Sequence, residues 1–211
     1  MRHEVRFTKE KIGRLLALIE PLAHRLSEPV PPFRLRWLDG PEQEPPVGAD
    51  VDDSAWPTIE PYTHWGERNR NFVLRTTFTV PAGWGTEGIA LHLPIGDAGD
   101  FSHPEELAFI DGEPWAACDR HHGEIMLPAR WCDGEGHLLA LHGWTGISGD
   151  LAEPPDRSRI MMNPCTVVLI DEPTREFTAA ARTAYDAAGA LDADDPAKSR
   201  LLTALNDAFT A

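Results

Sequence analysis

Hydrophobic positions along this chain follow two periods, one for each kind of element it predicts. Between residues 72 and 142 the period is two. Phe72, Leu74, Phe78 and Val80 fall on one face and Arg75, Thr77 and Thr79 on the other; Ile89, Leu91 and Leu93 repeat the alternation, as do Leu139 and Leu141. Phe33-Arg34-Leu35-Arg36-Trp37 alternates in the same way. At the centre, Leu107-Ala108-Phe109-Ile110 and Trp115-Ala116-Ala117 flank Asp111-Gly112-Glu113-Pro114. Two apolar runs around an Asp-Gly pair predict a β-hairpin, because glycine accepts the positive φ of its tight turn. Short strands punctuated by Gly and Pro predict a sandwich or jelly roll. Its core is expected to gather Phe72, Leu74, Phe78, Ile89, Leu91, Phe109, Leu139 and Leu141.

The ends carry the helical period. Ile12, Leu15, Leu16, Ile19, Leu22 and Leu26 recur at spacings of three and four, predicting an amphipathic helix over residues 8 to 26, bent or broken at Pro21. Its polar face mixes Glu with Lys and Arg, without the basic excess that anionic lipid favours, so it is expected to pack on protein. Pro29, Pro31 and Pro32 stop it, and residues 39 to 50, rich in Pro and acids, read as an exposed loop. Beyond a last apolar run, Thr166 to Ile170, helical spacing returns in Phe177, Ala180, Ala181, Ala184, Tyr185 and Ala188, with Gly189 as a stop. Asp195-Pro196 supplies an N-cap and first-turn proline for a second helix carrying Leu201, Leu202, Leu205 and Phe209. The segments are residues 1–32 (helix and Pro-rich linker), 33–170 (sandwich) and 171–211 (helical hairpin).

Composition narrows the function classes. A chain of 211 residues can bury one main core with satellites. Its formal charge of −15 argues against nucleic acid, whose binding needs clustered cations. Cys118, Cys132 and Cys165 are odd in number and lack C-x-x-C spacing, so no disulfide framework or thiolate zinc site is expected, and a cytoplasmic setting fits. No apolar run approaches a membrane span, and membrane is not expected as a partner.

Asp53-x-x-Trp56, Trp65-Gly66, a strand closing in Val80-Pro81, Asp111-Gly112-Glu113-Pro114, Asp119 to Glu124 and then two Ala/Leu-rich helices form an ordered set. From Trp37 to the C-terminus this set resembles the N-terminal region of family 38 glycoside hydrolases, the α-mannosidases of cytosolic and bacterial type. The resemblance implies a mainly β fold: a jelly-roll, galactose-binding-like β-sandwich with an N-terminal helix and a C-terminal helical hairpin. It also implies a noncatalytic module that packs on its own catalytic domain, with zinc expected only in that domain and no cofactor here. The family's zinc signature begins His-x-Asp, and none of the nine histidines is followed two places on by Asp.

The sharpest local chemistry is Asp119-Arg120-His121-His122-Gly123-Glu124. In an extended segment His122 and Glu124 share one side with His121 opposite, so a metal would need ligands from elsewhere; the plainer expectation is an edge loop making hydrogen bonds. Candidate sugar or interdomain contacts are Trp65, Asp119, His121, His122, Glu124 and Trp144. Asp97, Asp100 and His103, in the loop Gly96 to His103, could hold calcium through oxygen ligands but lack the ordered spacing of a recognised site, so a solvated loop is the plainer expectation. Ser148 lies in Gly146-Ile147-Ser148-Gly149, which departs from the nucleophile elbow, and Cys118 lies near His121 without an established pairing. Two alternatives stand beside the module: a free carbohydrate-binding module, favoured by an exposed tryptophan beside Asp or Asn, and a self-contained metal-dependent enzyme. In the C-terminal hairpin, Phe177, Tyr185, Leu191, Leu201, Leu202, Leu205 and Phe209 need cover, which predicts a homodimer through residues 173 to 211.

Overall fold

The computed structural model describes residues 7–96, 103–146 and 160–210. The chain divides into two compact units, Ser27–Leu169 and a second formed by Met1–Leu26 with Ile170–Ala211. Among the described residues the fold is mainly β with three α-helices. In chain order the strands are β1 His24–Pro29, β2 Phe33–Leu38, β3 Thr58–Ile59, β4 His64–Gly66, β5 Asn71–Thr79, β6 Ile89–His92, β7 Glu105–Ile110, β8 Glu113–Asp119, β9 Glu124–Met126, β10 Gly136–Trp144, β11 Ile160–Met161 and β12 Thr166–Ile170. The helices are α1 Thr8–Ile19, α2 Glu172–Ala190 and α3 Pro196–Ala208.

The strands form a six-stranded sheet in the order β3-β2-β5-β10-β7-β8, a four-stranded sheet β1-β12-β6-β9 and a short pair β11-β4. Phe72, Leu74, Phe78, Leu139 and Leu141 project from the large sheet into one buried cluster with Ile89, Leu91, Ile125 and Val167. The period-two pattern therefore selects the inner face correctly on β5, β6 and β10. The hairpin β7-β8 turns on Asp111 (φ 54°) and Gly112 (φ 82°), both left-handed, as a two-residue primed turn requires. The Asp111 carboxylate accepts the Leu138 N–H at 2.9 Å and meets His137 Nδ1 at 2.7 Å, tying the turn to β10.

Phe109 departs from expectation. Ala108 and Ile110 point into the main core, while Phe109 packs on the opposite face of the large sheet with Leu38, Val73 and Ala140. Four consecutive apolar residues leave strand parity undetermined, and one step of register exchanges the faces.

Arg75 departs too. The alternation assigns it to a polar face, yet it is 2% exposed, because residues 39 to 57 fold over that side. Its guanidinium donates to the Asp53 carboxylate at 2.8 Å and to the carbonyls of Pro46 (3.0 Å), Gly48 (2.9 Å) and Val51 (3.4 Å). The loop expected to stand in solvent is thus pinned by one buried cation.

In the second unit α1 ends at Ile19. A single 3-10 turn, Glu20–Ala23, follows, and residues 24 to 29 extend as β1 instead of continuing the helix. Pro21 lacks the N–H an α-helix would use there and sits at the start of the 3-10 turn. Leu22 and Leu26 are consequently exposed, while Ile12 and Leu16 are buried. They pack with Ala181, Ala188, Leu202 and Leu205, so α1 covers apolar positions of α2 and α3. Gly13 allows the close approach: a Cβ there would lie 2.8 Å from the Tyr185 hydroxyl. Asp195 caps α3 by accepting the Ala197 N–H at 2.7 Å. Gly189 does not stop α2, which runs to Ala190. Among the described residues no helix is long and apolar enough to cross a membrane.

Candidate functional site

β8 leaves the large sheet at Asp119, and β9 re-enters the small sheet at Glu124. The crossing is made by a tight turn in which Asp119 Oδ1 accepts the backbone N–H of His121 (2.7 Å) and of His122 (2.8 Å). His122 Nδ1 lies 3.0 Å from the same oxygen. Aspartate folds the chain back on its own side chain this way because its short arm reaches backbone donors two and three residues on. Burial opposes the Asp119 charge, but these hydrogen bonds outweigh it and hold the carboxyl below its ordinary value. The Leu93 N–H donates to the Gly123 carbonyl at 2.8 Å, joining the turn to the segment after β6.

Between that segment and the turn lies an open cleft of about 720 Å³. Asp119, His121, His122 and Glu124 all line it, so four of the six sequence candidates meet in one place. Trp65 and Trp144 do not line it. Trp65 is buried, stacks on Trp37 at 6.2 Å and donates its indole N–H to the Ile95 carbonyl. Trp144 is half-buried and donates to Asn69 Oδ1 at 2.8 Å. The most exposed tryptophan among the described residues is Trp115, whose ring meets Trp131 edge-on at 4.9 Å and lies under Arg130. No indole therefore offers a stacking plane within the cleft.

Glu106 is the residue sequence reasoning missed. It lines the cleft from β7, is 6% exposed, and its Oε1 has no hydrogen-bond partner among the described residues. Burial, assisted by the charges of Asp119 and Glu105, pushes its carboxyl up to about 8, against the opposing effect of a hydrogen bond with Cys118. Its strand neighbours are Cys118 on β8 and Gly143 on β10. Gly143 makes the room: a Cβ there would stand 2.9 Å from Glu106 Cγ and 2.5 Å from the Glu105 carbonyl oxygen. Glu106 has the same strand parity as Ala108 and Ile110, which the structure turns inward. The unbroken apolar run Leu107 to Ile110 hid that parity in the sequence, and the expected inward Phe109 would have turned Glu106 outward. Asn163, which lines the far wall and donates its N–H to the Pro94 carbonyl at 3.1 Å, carries no signal of its own.

The other candidates resolve differently. Burial raises the Cys118 thiol far above its ordinary value and the Cys165 thiol to about 12, so both are protonated and inert as nucleophiles. His103 is half-buried and its ring meets that of His121 edge-on at 5.6 Å. Asp97, Asp100 and Ser148 lie outside the described residues. Among the described residues no three His, Cys, Asp or Glu side chains are arranged to hold a metal ion.

Comparison with known proteins corrects the α-mannosidase resemblance. No protein-family model matches the chain, and no curated protein does. The solved structures it matches include β-glucuronidases. That of Bacteroides uniformis is 16% identical with a TM-score of 0.45, over 67% of this chain and 17% of that one. That of Faecalibacterium prausnitzii is 11% identical with a TM-score of 0.47, over 69% and 31%. That of Ruminococcus gnavus is 11% identical with a TM-score of 0.45, over 68% and 28%. This chain therefore spans less than a third of the length of each. The motifs behind the mannosidase resemblance, an Asp-Gly hairpin, a strand-ending Val-Pro and capped helices, are punctuation that many β-sandwiches need for the same steric reasons.

Proposed function

We propose that the chain is a noncatalytic β-sandwich module associated with glycoside-processing enzymes, and that its recognition surface is the cleft between Leu93–Gly96 and the turn Asp119–Glu124. The observation that carries this reading is the cleft itself. A pocket of this size suits a small ligand or a projecting group, and its lining mixes the Pro94 and Pro104 rings with carboxyl, amide and imidazole groups. Those are the two kinds of surface a sugar presents, apolar C–H faces and hydroxyl edges.

The side chains that line it are arranged for recognition more than for turnover. The Asp119 carboxylate is committed to its own turn, and the thiols closest to Glu106 in its surroundings are protonated. The β-glucuronidase neighbours add neither a sugar nor a reaction to this chemistry. The test is a hydrolysis assay with a panel of aryl α- and β-glycosides, including an aryl β-glucuronide. No turnover above the buffer rate is expected. Turnover that disappears in Glu106→Gln would overturn the noncatalytic reading and make the cleft an active site.

A further inference from the structure

The buried carboxyl on the cleft is the least explained group in the molecule. An ionisable side chain with an orphaned oxygen is costly to bury, since native proteins pair nearly all such atoms. Here the fold goes out of its way to accommodate it: Gly143, directly across β10, leaves the space its Cγ fills. A structural carboxylate would have been given a cation, as Arg75 receives Asp53 on the other face. Glu106 instead has Cys118 beside it on β8, and among the described residues no cation is paired with it.

We propose that this cleft takes a neutral polyhydroxylated ligand of the mono- or disaccharide class, and that Glu106 is the group that hydrogen-bonds one of its hydroxyls. The inference rests on the recognition role proposed above and names the ligand class of that site. A carboxylic acid both donates and accepts, which matches a hydroxyl's own dual capacity. Anions are disfavoured by Asp119 and Glu124 on the wall and by the chain's formal charge of −15. Cations meet Arg120 on the same wall, and Asp119 Oδ1 already accepts two backbone N–H groups and lies 3.0 Å from His122 Nδ1. What remains suited is a neutral molecule with many hydroxyls.

Recognition by a protonated acid depends on pH. The groups facing Glu106 are Glu105 on its own strand, Cys118 and Asp119 from β8 and Cys165 from the segment before β12. His92, Arg120, His121, His122 and Glu124 stand on the cleft wall. A comparison between about pH 7 and about pH 9.5 brackets the ionisation of Glu106 at about 8, and Glu106→Gln separates that ionisation from changes elsewhere on the wall.

The experiment titrates the full chain with methyl glucoside, methyl galactoside and cellobiose, followed by amide chemical shifts, with glucuronate and methylammonium as charged controls. At least one neutral sugar should bind at about pH 7, shifting the amides of Leu93, Gly123 and Asn163. Its affinity should fall about tenfold by about pH 9.5, the scale of one hydrogen bond. Glu106→Gln, which keeps a donor and an acceptor, should bind at both pH values. Glu106→Ala should lose about tenfold at about pH 7. Because the alanine variant risks misfolding, the wild-type shift map and the glutamine variant decide independently. The inference is overturned by no binding of any neutral sugar, by affinity equal at both pH values, or by stronger binding of either charged control. Glycoside turnover in the separate hydrolysis assay bears on the noncatalytic reading alone, so the two failures are distinguishable.

Discussion

Arg75 and Glu106 are buried ionisable groups on opposite faces of the same six-stranded sheet, and they are treated in opposite ways. Arg75 is surrounded by a carboxylate and three carbonyls from a loop that exists to meet it. Glu106 has one oxygen with no partner among the described residues and borders a cleft. A buried charge whose hydrogen bonds are complete organises structure, because its neighbours hold one geometry. A buried acid left incomplete is available to something outside the chain.

Breaking the first site should have the largest effect. Arg75→Met leaves the Pro46 and Gly48 carbonyls without their donor and the Asp53 carboxylate with only Arg34, 3.6 Å away. Breaking a buried pair costs about 3–5 kcal/mol, and because Asp53 is partly exposed and keeps Arg34 the loss should lie toward about 3 kcal/mol. Urea denaturation should show that loss, together with faster amide exchange across residues 46 to 53. A loss below about 1 kcal/mol would mean that the loop is held by Val47 and Trp56 packing instead.

The second site should respond to pH. Glu106 rises from 4.5 to about 8 on folding, so the folded state holds its proton more tightly than the unfolded chain. The favourable contribution is fully present below the unfolded value of 4.5 and is lost as pH climbs to about 8. The loss is on the order of a few kcal/mol for a group this buried. Glu106→Gln should flatten the stability profile in that window and be the more stable variant at about pH 9. Parallel profiles for the two proteins would show that Glu106 is ionised throughout.

Gly143→Ala sharpens the comparison from the neighbouring strand. Its Cβ would sit 2.5 Å from the Glu105 carbonyl oxygen and 2.8 Å from Phe72 Cζ, backbone and core that have nowhere to move. Overpacking of this kind costs about 1–3 kcal/mol, and the midpoint in urea should fall accordingly. Smallest is Asp119→Ala, which removes the acceptor of the His121 and His122 N–H groups in a partly exposed turn. About 1 kcal/mol is expected, and a hydrogen-exchange map should place the change at residues 119 to 124.

Elements set by local chemistry were legible in the chain. The Asp111-Gly112 turn, the faces of β5 and β10 and the Asp195-Pro196 start of α3 follow from positive φ, side-chain alternation and capping, each decided within a few residues. The turn Asp119–Glu124 was singled out by its residue types, and the structure shows why it is polar. The α-mannosidase resemblance failed for the same reason that these elements succeeded: it was built of local signals that specify strands, turns and helices without specifying a family.

Tertiary structure decided the rest wherever two distant segments had to meet. Whether Phe109 or Ile110 faces the core depends on which residue of β10 each opposes, and an unbroken apolar run leaves that choice to packing. Arg75 is buried because a loop more than twenty residues upstream closes over it, and the segment after the Pro21 break, expected to continue as helix to residue 26, runs as β1 beside β12. Glu106 becomes a candidate for recognition only when β7, β8 and β10 assemble with Gly143 across from it and the β8-to-β9 turn beside it. Residue types are written in the sequence; burial and the absence of a partner are properties of the space between segments, which exists only once they have packed.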